Sequence, residues 1–164
     1  MKTCKRLISV VVALVLIISM AAVFAVPASA VANGVGTYVI TAASLNIRST
    51  PSSSGTIIGS YVNGANVNVT SITGTWGKVG SGYVDLSYAG KTTSTTFSCS
   101  IKTNSSVNLR SGAGTSFGVL GTMSNGTKIT MHNYGYYADG YWWWMIYVPS
   151  LSKYGFVAED YIKF

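Results

Sequence analysis

The chain has 164 residues, of which 11 are lysine or arginine, four are acidic and one is histidine. That length allows one or two domains. The cations stand singly along the chain, which excludes the clustered basic stripe of a nucleic-acid-binding protein. One histidine and four scattered acids also provide no ligand cluster for a metal, and we expect no cofactor.

Residues 1–30 have the three parts of a secretory signal peptide. Lys2, Lys5 and Arg6 form a positive start, residues 7–26 are almost wholly apolar, and Ala28-Ser29-Ala30 is a small-residue cleavage site. The apolar run is also long enough to cross a bilayer, so an uncleaved membrane anchor is the alternative. The cleavage site favours the signal peptide.

The chain that cleavage would leave is predicted to be secreted and free of the membrane. It starts at Val31 and keeps eight of the eleven cations against four acids, a net charge of +4. Such a mild charge favours loose attraction to an anionic wall polymer. Its single cysteine, Cys99, is interpreted as a small buried apolar residue, with pairing between chains as the alternative.

The rest of the chain is a duplication with a period of 62 residues. The stretch Leu45-Asn46-Ile47-Arg48-Ser49 recurs as Val107-Asn108-Leu109-Arg110-Ser111. The register continues without a gap, because Gly59 falls on Gly121 and Asn63-Gly64 on Asn125-Gly126. A repeat of this kind decides the architecture before any local prediction does.

In chain order, the pattern predicts a module at 36–90, a polar linker at 91–96 and a second module at 97–164. Each module reads as short strands with period-two alternation, joined by Gly-containing turns such as Asn63-Gly64. The second module has insertions at 133–140 and 148–154, which we expect to lengthen hairpins at the rim. No window has a helical period with caps.

These motifs resemble the bacterial SH3-like (SH3b) domain, twice over. The opening Asn-Arg-Ser segment is followed by Trp76-Gly77-Lys78-Val79 and Gly82-Tyr83-Val84 in the first copy. The second copy has the Trp142–Ile146 strand and Gly155-Phe156-Val157. The resemblance implies an all-β protein with two tandem small SH3-like β-barrels. The usual Gly-Pro after the opening is absent, since Thr50-Pro51 and Gly112-Ala113 stand there.

Catalysis is not expected. Cell-wall peptidases of the NlpC type often carry SH3b domains, but Cys99 lacks the Asp-Cys-Ser-Gly context of their nucleophile. His132 ends an alternating strand and is interpreted as a surface or rim residue. The run Gly114-Thr115-Ser116-Phe117-Gly118 matches G-x-S-x-G only in letters, because that motif needs a strand–turn–helix elbow.

Aromatic residues concentrate in the second module, above all on the strand 141–148. Alternation puts Trp142, Trp144, Ile146 and Val148 on one face and Tyr141, Trp143, Met145 and Tyr147 on the other. One small barrel can bury only one face, so the second is predicted to be an exposed aromatic stripe. The alternative is that this face packs on the other module or under an inserted loop.

The predicted ligand-binding residues are Trp143, Tyr141 and Tyr147, with Trp76 and Tyr83 as a weaker equivalent in the first module. Four polar residues of the repeated motif are expected to organise loops rather than to bind. These are Asn46, Arg48, Asn108 and Arg110.

The resemblance implies a secreted, non-catalytic, cell-wall-associated protein that binds peptidoglycan or another wall polymer, with a separate cell-wall hydrolase as a further partner. The alternative is a secreted adaptor that binds an envelope protein or a cell-wall enzyme. A divergent aromatic surface in the second module would favour that alternative.

Overall fold

The computed structural model describes residues 34–164, so the predicted signal peptide at 1–30 lies outside the described residues. In this part of the chain no helix is long and apolar enough to cross a membrane. The all-β prediction is confirmed: strands alternate with turns, and the helical segments between 34 and 164 are short 310 turns. Eight strands form the first barrel: β1 Gly36–Ile40, β2 Ser44–Arg48, β3 Ile57–Val62, β4 Asn66–Val69, β5 Ser71–Thr73, β6 Trp76–Val79, β7 Gly82–Asp85 and β8 Ala89–Lys91.

Seven strands form the second barrel: β9 Thr96–Ile101, β10 Ser106–Arg110, β11 Val119–Ser124, β12 Lys128–Ala138, β13 Tyr141–Val148, β14 Lys153–Ala158 and β15 Ile162–Lys163. The 310 turns are Leu86–Tyr88, Pro149–Leu151 and Glu159–Tyr161.

Both barrels have the same strand order, which confirms the tandem SH3-like architecture. The first has sheets of order β4-β1-β8 and β3-β2-β7-β6-β5. The second has one sheet of order β11-β10-β14-β13-β12-β9-β15. In this sheet the long strand β12 occupies the positions of both β4 and β5 of the first barrel. Strand β12 stays continuous through a bulge between Met131 and Gly135, whereas Thr70 separates β4 from β5.

In each barrel, the apolar residues of the alternating strands are buried together in a core, as the alternation predicts. Apolar side chains of β1, β2, β4, β6, β7 and β8, with two from the connecting segments (Ala42 and Leu86), form the first core: Tyr38, Ile40, Ala42, Leu45, Val67, Val69, Val79, Val84, Leu86 and Ala89. The second core contains Cys99, Ile101, Val107, Leu109, Met123, Ile129, Met131, Ile146, Val148, Val157 and Ile162. Trp144 packs against the second core from the same face of β13 as Ile146.

The opposite face of β13 is buried at its centre as well, so the prediction of a continuous exposed aromatic stripe is wrong: only Tyr141, at its start, is exposed. Trp143 is 4% exposed and Met145 is fully buried. They belong to a third cluster that joins the two barrels, with Val39 from β1 on one side and Phe156 from β14 on the other. The alternative interpretation, packing on the other module, is what the structure has.

The reason lies in two substitutions between equivalent positions. The outer face of the first barrel has Lys78 and Tyr83, with the Lys78 ammonium 4.7 Å from the ring centroid. The second barrel has Met145 and Phe156 at those places, and both are buried. An apolar outer face must be covered, and burial of side chains of this size contributes about 1.5–3 kcal/mol each.

Polar contacts fix the barrels relative to each other. The Thr41 hydroxyl donates to the Ser111 carbonyl at 2.8 Å. The Asn63 amide donates to the Tyr154 carbonyl at 2.9 Å and its oxygen accepts from the Tyr154 N–H at 3.0 Å. Because backbone groups at the seam are paired in this way, the interface is a specific one rather than a loose apolar contact.

The insertion at 133–140 forms the outer end of the β12–β13 hairpin, as the prediction of a lengthened hairpin requires. The hairpin closes at Asp139 and Gly140, which have φ of 54° and 81°. Two consecutive residues with positive φ make the tight turn that matches the strand twist.

Candidate functional site

The first barrel has a groove along the face of β2. It runs between the loop after β2, the β6–β7 edge and the Leu86–Tyr88 turn, and its volume is about 430 Å³. Its walls are Ala42, Ser44, Leu45, Asn46, Arg48, Ser53, Trp76, Asp85 and Tyr88.

The second barrel has a groove of about 240 Å³ along the face of β10. Its walls are Ser106, Val107, Asn108, Arg110, Thr115, Tyr141, Trp143, Ala158 and Tyr161. The second groove has an additional aromatic wall residue, Tyr141, which belongs to the longer hairpin, and its volume is the smaller of the two.

The two grooves are the same site built twice. The residues from β2 and its loop (Ser44, Leu45, Asn46, Arg48, Ser53) correspond to Ser106, Val107, Asn108, Arg110 and Thr115 at the repeat spacing. Strand pairing supplies the rest, because Trp76 lies opposite Asp85 as Trp143 lies opposite Ala158. Tyr88 and Tyr161 occupy the same place in the 310 turn that follows. A Ser–Asn–Arg–Trp–Tyr set therefore lines each groove.

Each arginine has a local structural partner. Arg48 donates through Nη1 to the Gly55 carbonyl at 2.8 Å, and Arg110 donates through Nη1 to the Phe117 carbonyl at 2.8 Å. Each bond spans seven residues and ties down the loop that follows the Asn-Arg-Ser segment. Both arginines are also wall residues of their grooves, so one side chain serves both the loop and the groove.

The structure brings together only some of the predicted ligand-binding residues. Trp76 lines the first groove, and Tyr141 and Trp143 line the second. Trp143 offers little surface there, because its Nε1–H donates to the Ala138 carbonyl at 3.0 Å and the ring lies in the interface between barrels. Tyr141 is the exposed wall.

Tyr83 and Tyr147 line neither groove. Tyr83 lies under the Lys78 ammonium on the outer face of the first barrel. Tyr147 packs on Tyr154, with ring centroids 4.8 Å apart, near the seam between barrels. Alternation puts Tyr147 on the face of Trp143, but Tyr147 lies four residues further along β13 and is not part of the groove wall.

Sequence reasoning missed Tyr88, Tyr161, Asp85, Ser53 and Thr115. A signal for the tyrosines exists: Tyr88 and Tyr161 each follow the Gly-aromatic-Val motif by the same number of residues. Only strand pairing reveals that this turn closes over the Asn-Arg-Ser segment, which lies some 40 to 50 residues earlier in the chain.

A carboxylate latch holds one wall of the second groove. Asp139, at the hairpin turn, accepts from the Thr115 N–H at 2.6 Å and from the Thr115 hydroxyl at 2.7 Å. These hydrogen bonds, backbone first, lower the pKa of Asp139 below its usual value of 3.8, and the nearby Arg110 adds to the effect. The latch joins the hairpin that carries Tyr141 to the loop that carries Thr115.

Cys99 and His132 belong to different surroundings. Cys99 lies in the core of the second barrel, and burial raises the pKa of its thiol, which disfavours the reactive thiolate. His132 is 9% exposed, so its interpretation as a surface or rim residue is wrong. Its ring packs 6.0 Å from that of Tyr154 beside the seam, and in residues 34–164 its buried Nδ1 has no hydrogen-bond partner. Residues 34–164 also contain no group of three His, Cys, Asp or Glu side chains that could hold a metal ion.

Comparison with known families identifies these modules. The family described as "Bacterial SH3 domain" matches the chain at residues 43–90 and again at 105–163, more than half of its length. The chain belongs to the bacterial SH3 domain family. Each match includes the Asn-Arg-Ser segment and the closing turn that together line a groove, so both grooves are features of the SH3 modules themselves.

Among solved structures, the chain is similar to NlpC1 and NlpC2 from Trichomonas vaginalis, each at 11% identity. The match to NlpC1 has a TM-score of 0.38 and covers 84% of this chain and 48% of the other. The match to NlpC2 has a TM-score of 0.36 and covers 81% of this chain and 49% of the other. The chain thus spans about half the length of either protein. The comparison with curated proteins gave no match.

Proposed function

We propose that this protein is a secreted, non-catalytic binder of the bacterial cell wall that takes the peptide part of peptidoglycan into its two grooves. The observation that carries the proposal is the repetition of one groove on two SH3 modules. Both grooves have aromatic and amide side chains that are at least partly exposed, and a site that served only to stabilise the fold would not need them there.

The chemistry of the groove walls suits a short peptide. Trp76 and Tyr88 in the first groove, and Tyr141 and Tyr161 in the second, offer flat rings with polar edges. Such rings bury large areas with little loss of conformational entropy. Asn46 and Asn108 can donate to and accept from a peptide bond, and the arginines supply donors for carbonyl or carboxylate groups.

Two sites on one packed unit support binding to a polymer. Peptidoglycan presents the same chemical unit many times, so engaging one groove raises the effective concentration of ligand at the other. Individually weak grooves then suffice, and the modest positive charge predicted for the secreted chain adds a long-range attraction to anionic walls.

The test is co-sedimentation of the chain beginning at Val31 with purified peptidoglycan. Truncating an aromatic wall in each groove, with Trp76→Ala and Tyr141→Ala, is expected to lower the affinity by about 5- to 100-fold, or roughly 1–3 kcal/mol. Tyr137→Ala is the matched control, because Tyr137 is 65% exposed and lines neither groove. Absence of sedimentation by the wild type would refute the proposal.

The same incubation tests the absence of catalysis. Soluble fragments should not be released from the walls over hours, because the cysteine is sealed in a core and the histidine lies in other surroundings. Release of fragments by the pure protein would contradict the non-catalytic role.

One observation favours the adaptor as a second candidate. Tyr137 and Trp142 form an edge-to-face pair, 5.5 Å between centroids, on the lengthened hairpin that the first barrel lacks. Both are more than half exposed. If Tyr137→Ala and Trp142→Ala leave wall binding intact but abolish association with an envelope protein, the adaptor function applies to this hairpin.

A further inference from the structure

The two grooves differ in charge at one pair of equivalent wall positions. Asp85 closes the first groove where Ala158 closes the second. The asparagines, the arginines and the tyrosines of the closing turns are the same residue types in both. Asp85 and Ala158 are the only equivalent pair among these wall residues that differs in charge.

The surroundings of Asp85 are those of a carboxylate available to a ligand. It lies directly across the β6–β7 ladder from Trp76 and is half-buried at the end of β7. One oxygen, Oδ1, accepts from the Ser87 N–H at 3.0 Å. Asp85 is also a wall residue of the groove, so its carboxylate lies where a ligand would bind.

Ala158, at the equivalent position of the second barrel, has no charge to offer a ligand. It is buried in the cluster between barrels, next to the equivalent tryptophan, Trp143. The second groove therefore has Arg110 at its wall but no carboxylate. Asp139 accepts two hydrogen bonds from the wall residue Thr115, and Glu159, next to Ala158, accepts one from the Trp144 Nε1–H at 3.0 Å.

A carboxylate beside aromatic rings is a binding site for a protonated amine. Asp85 would supply the counter-charge, and the faces of Trp76 and Tyr88 would attract the same cation through their quadrupoles. Arg48 at the other side of the groove keeps donors for a carbonyl or carboxylate of the same ligand. We infer that the first groove selects a peptide group bearing a free primary ammonium, whereas the second does not discriminate for one.

This inference rests on the proposed function, and the test separates the two. Muropeptides are released from purified peptidoglycan with a glycan-cleaving enzyme, and half are treated with acetic anhydride, which converts their amines into uncharged amides. Both preparations are titrated into isotope-labelled protein. The indole N–H resonances of Trp76 and Trp143 then report on the first and second grooves within one sample.

Untreated fragments are expected to shift both indole resonances. Acetylation should weaken binding at Trp76 by about tenfold and leave binding at Trp143 unchanged, since only the first groove has a free carboxylate. Asp85→Asn should remove the difference between the two preparations at Trp76. Asp160→Asn, which removes an equal charge from an exposed position outside the grooves, should preserve it.

Two results would overturn the inference while leaving the proposed function in place. One is an equal effect of acetylation, or none, at both indoles while the fragments still bind. The other is a persistent effect at Trp76 in Asp85→Asn when the Trp143 resonance confirms that the variant is folded. If neither resonance moves with any fragment, the proposed function itself fails, and the ammonium site fails with it.

Discussion

At the scale of single residues, His132 is a titratable group whose charged form is disfavoured by burial in the fold. Its ring is buried and its Nδ1 lacks a partner in the described part of the chain. Burial lowers the pKa of His132 below its usual value of 6.5, because a charged imidazolium loses hydration there. The folded state therefore prefers the neutral ring, and the unfolded state binds the proton more tightly.

This preference makes stability depend on pH in a defined direction. The contribution of the neutral ring is complete above about pH 7 and is lost as the pH falls from 6.5 through the folded-state pKa. We expect urea unfolding of the wild type to show lower stability at pH 5.5 than at pH 7.5. His132→Phe, which keeps a ring but cannot titrate, should lose most of that difference, and an unchanged pH dependence would contradict this account.

Asp139 is the second residue with a decisive local role, since it joins the hairpin turn to Thr115. Its pKa is lowered mainly by the Thr115 backbone hydrogen bond, so the ionised form is favoured in the fold. The stabilisation from the latch is complete above the ordinary carboxyl pKa of 3.8 and is lost as the pH falls through the lower folded-state pKa.

Asp139→Asn is expected to loosen this latch without unfolding the barrel. The Thr115 amide should exchange with deuterium several-fold faster, because its charge-assisted hydrogen bond becomes a weaker neutral one. Binding at the second groove should weaken while the first groove is unaffected. Asp160→Asn provides the control for the loss of charge, and unchanged exchange at Thr115 would show that the carboxylate is not needed.

At the scale of elements, strand β13 determines how the barrels meet. Alternation correctly predicted which side chains share a face, and Ile146, Val148 and Trp144 do serve the barrel core. Alternation does not say what covers the other face. That depends on β1 and β8 of the other barrel, where Val39 and Gly90 are buried against it.

Gly90 permits the close approach of β8 to β13. A Cβ at this position would collide with the Met145 side chain, including its Sδ. Gly90→Ala is therefore expected to destabilise the protein by about 1–3 kcal/mol in urea unfolding, the usual penalty of overpacking. Gly118→Ala is the control, because an added Cβ there would lie 3.8 Å from its nearest neighbour. Equal effects of the two substitutions would mean that the approach is not tight.

The loop after β10 shows why the family's opening motif varies between copies. Gly112 and Ala113 are buried, and Ala113 belongs to the cluster between barrels, whereas Thr50 is exposed in the equivalent loop. Ala113 is small where the other barrel covers the loop, and Gly112 is small because a Cβ there would collide with the Phe117 ring of the same loop. The departures from the expected Gly-Pro thus have a packing reason in the second copy, and nothing in the structure explains Thr50-Pro51 in the first.

At the scale of the whole molecule, the two barrels share a buried cluster and paired polar groups, so they should unfold together. Trp143 contributes most to the shared cluster by size. Trp143→Ala is expected to lower the free energy of unfolding by about 3–5 kcal/mol, as for other large buried aromatic residues. Trp142→Ala, next in sequence but 51% exposed, should lower it by less than about 1 kcal/mol.

The measurement is urea unfolding followed by circular dichroism, with a single transition expected for the wild type. Two separate transitions, or equal losses for the two variants, would contradict the shared cluster. Trp143→Ala would remove packing between the barrels together with a wall residue of the second groove, so a loss of ligand binding in that variant would not identify a contact surface.

The sequence by itself determined the architecture and the groove walls that come from the Asn-Arg-Ser segments. The 62-residue period and the two-residue alternation are local regularities of the chain, and they were enough to predict two small barrels and to single out Asn46, Arg48 and their counterparts. Tertiary structure decided which aromatic residues reach the surface, and which turn closes each groove. Those outcomes depend on residues far apart in the chain coming together: Met145 packs against Gly90, and Tyr88 and Asn46 are walls of one groove. Periodicity records which side chains share a face, but the burial of that face depends on whether another surface has the shape to cover it.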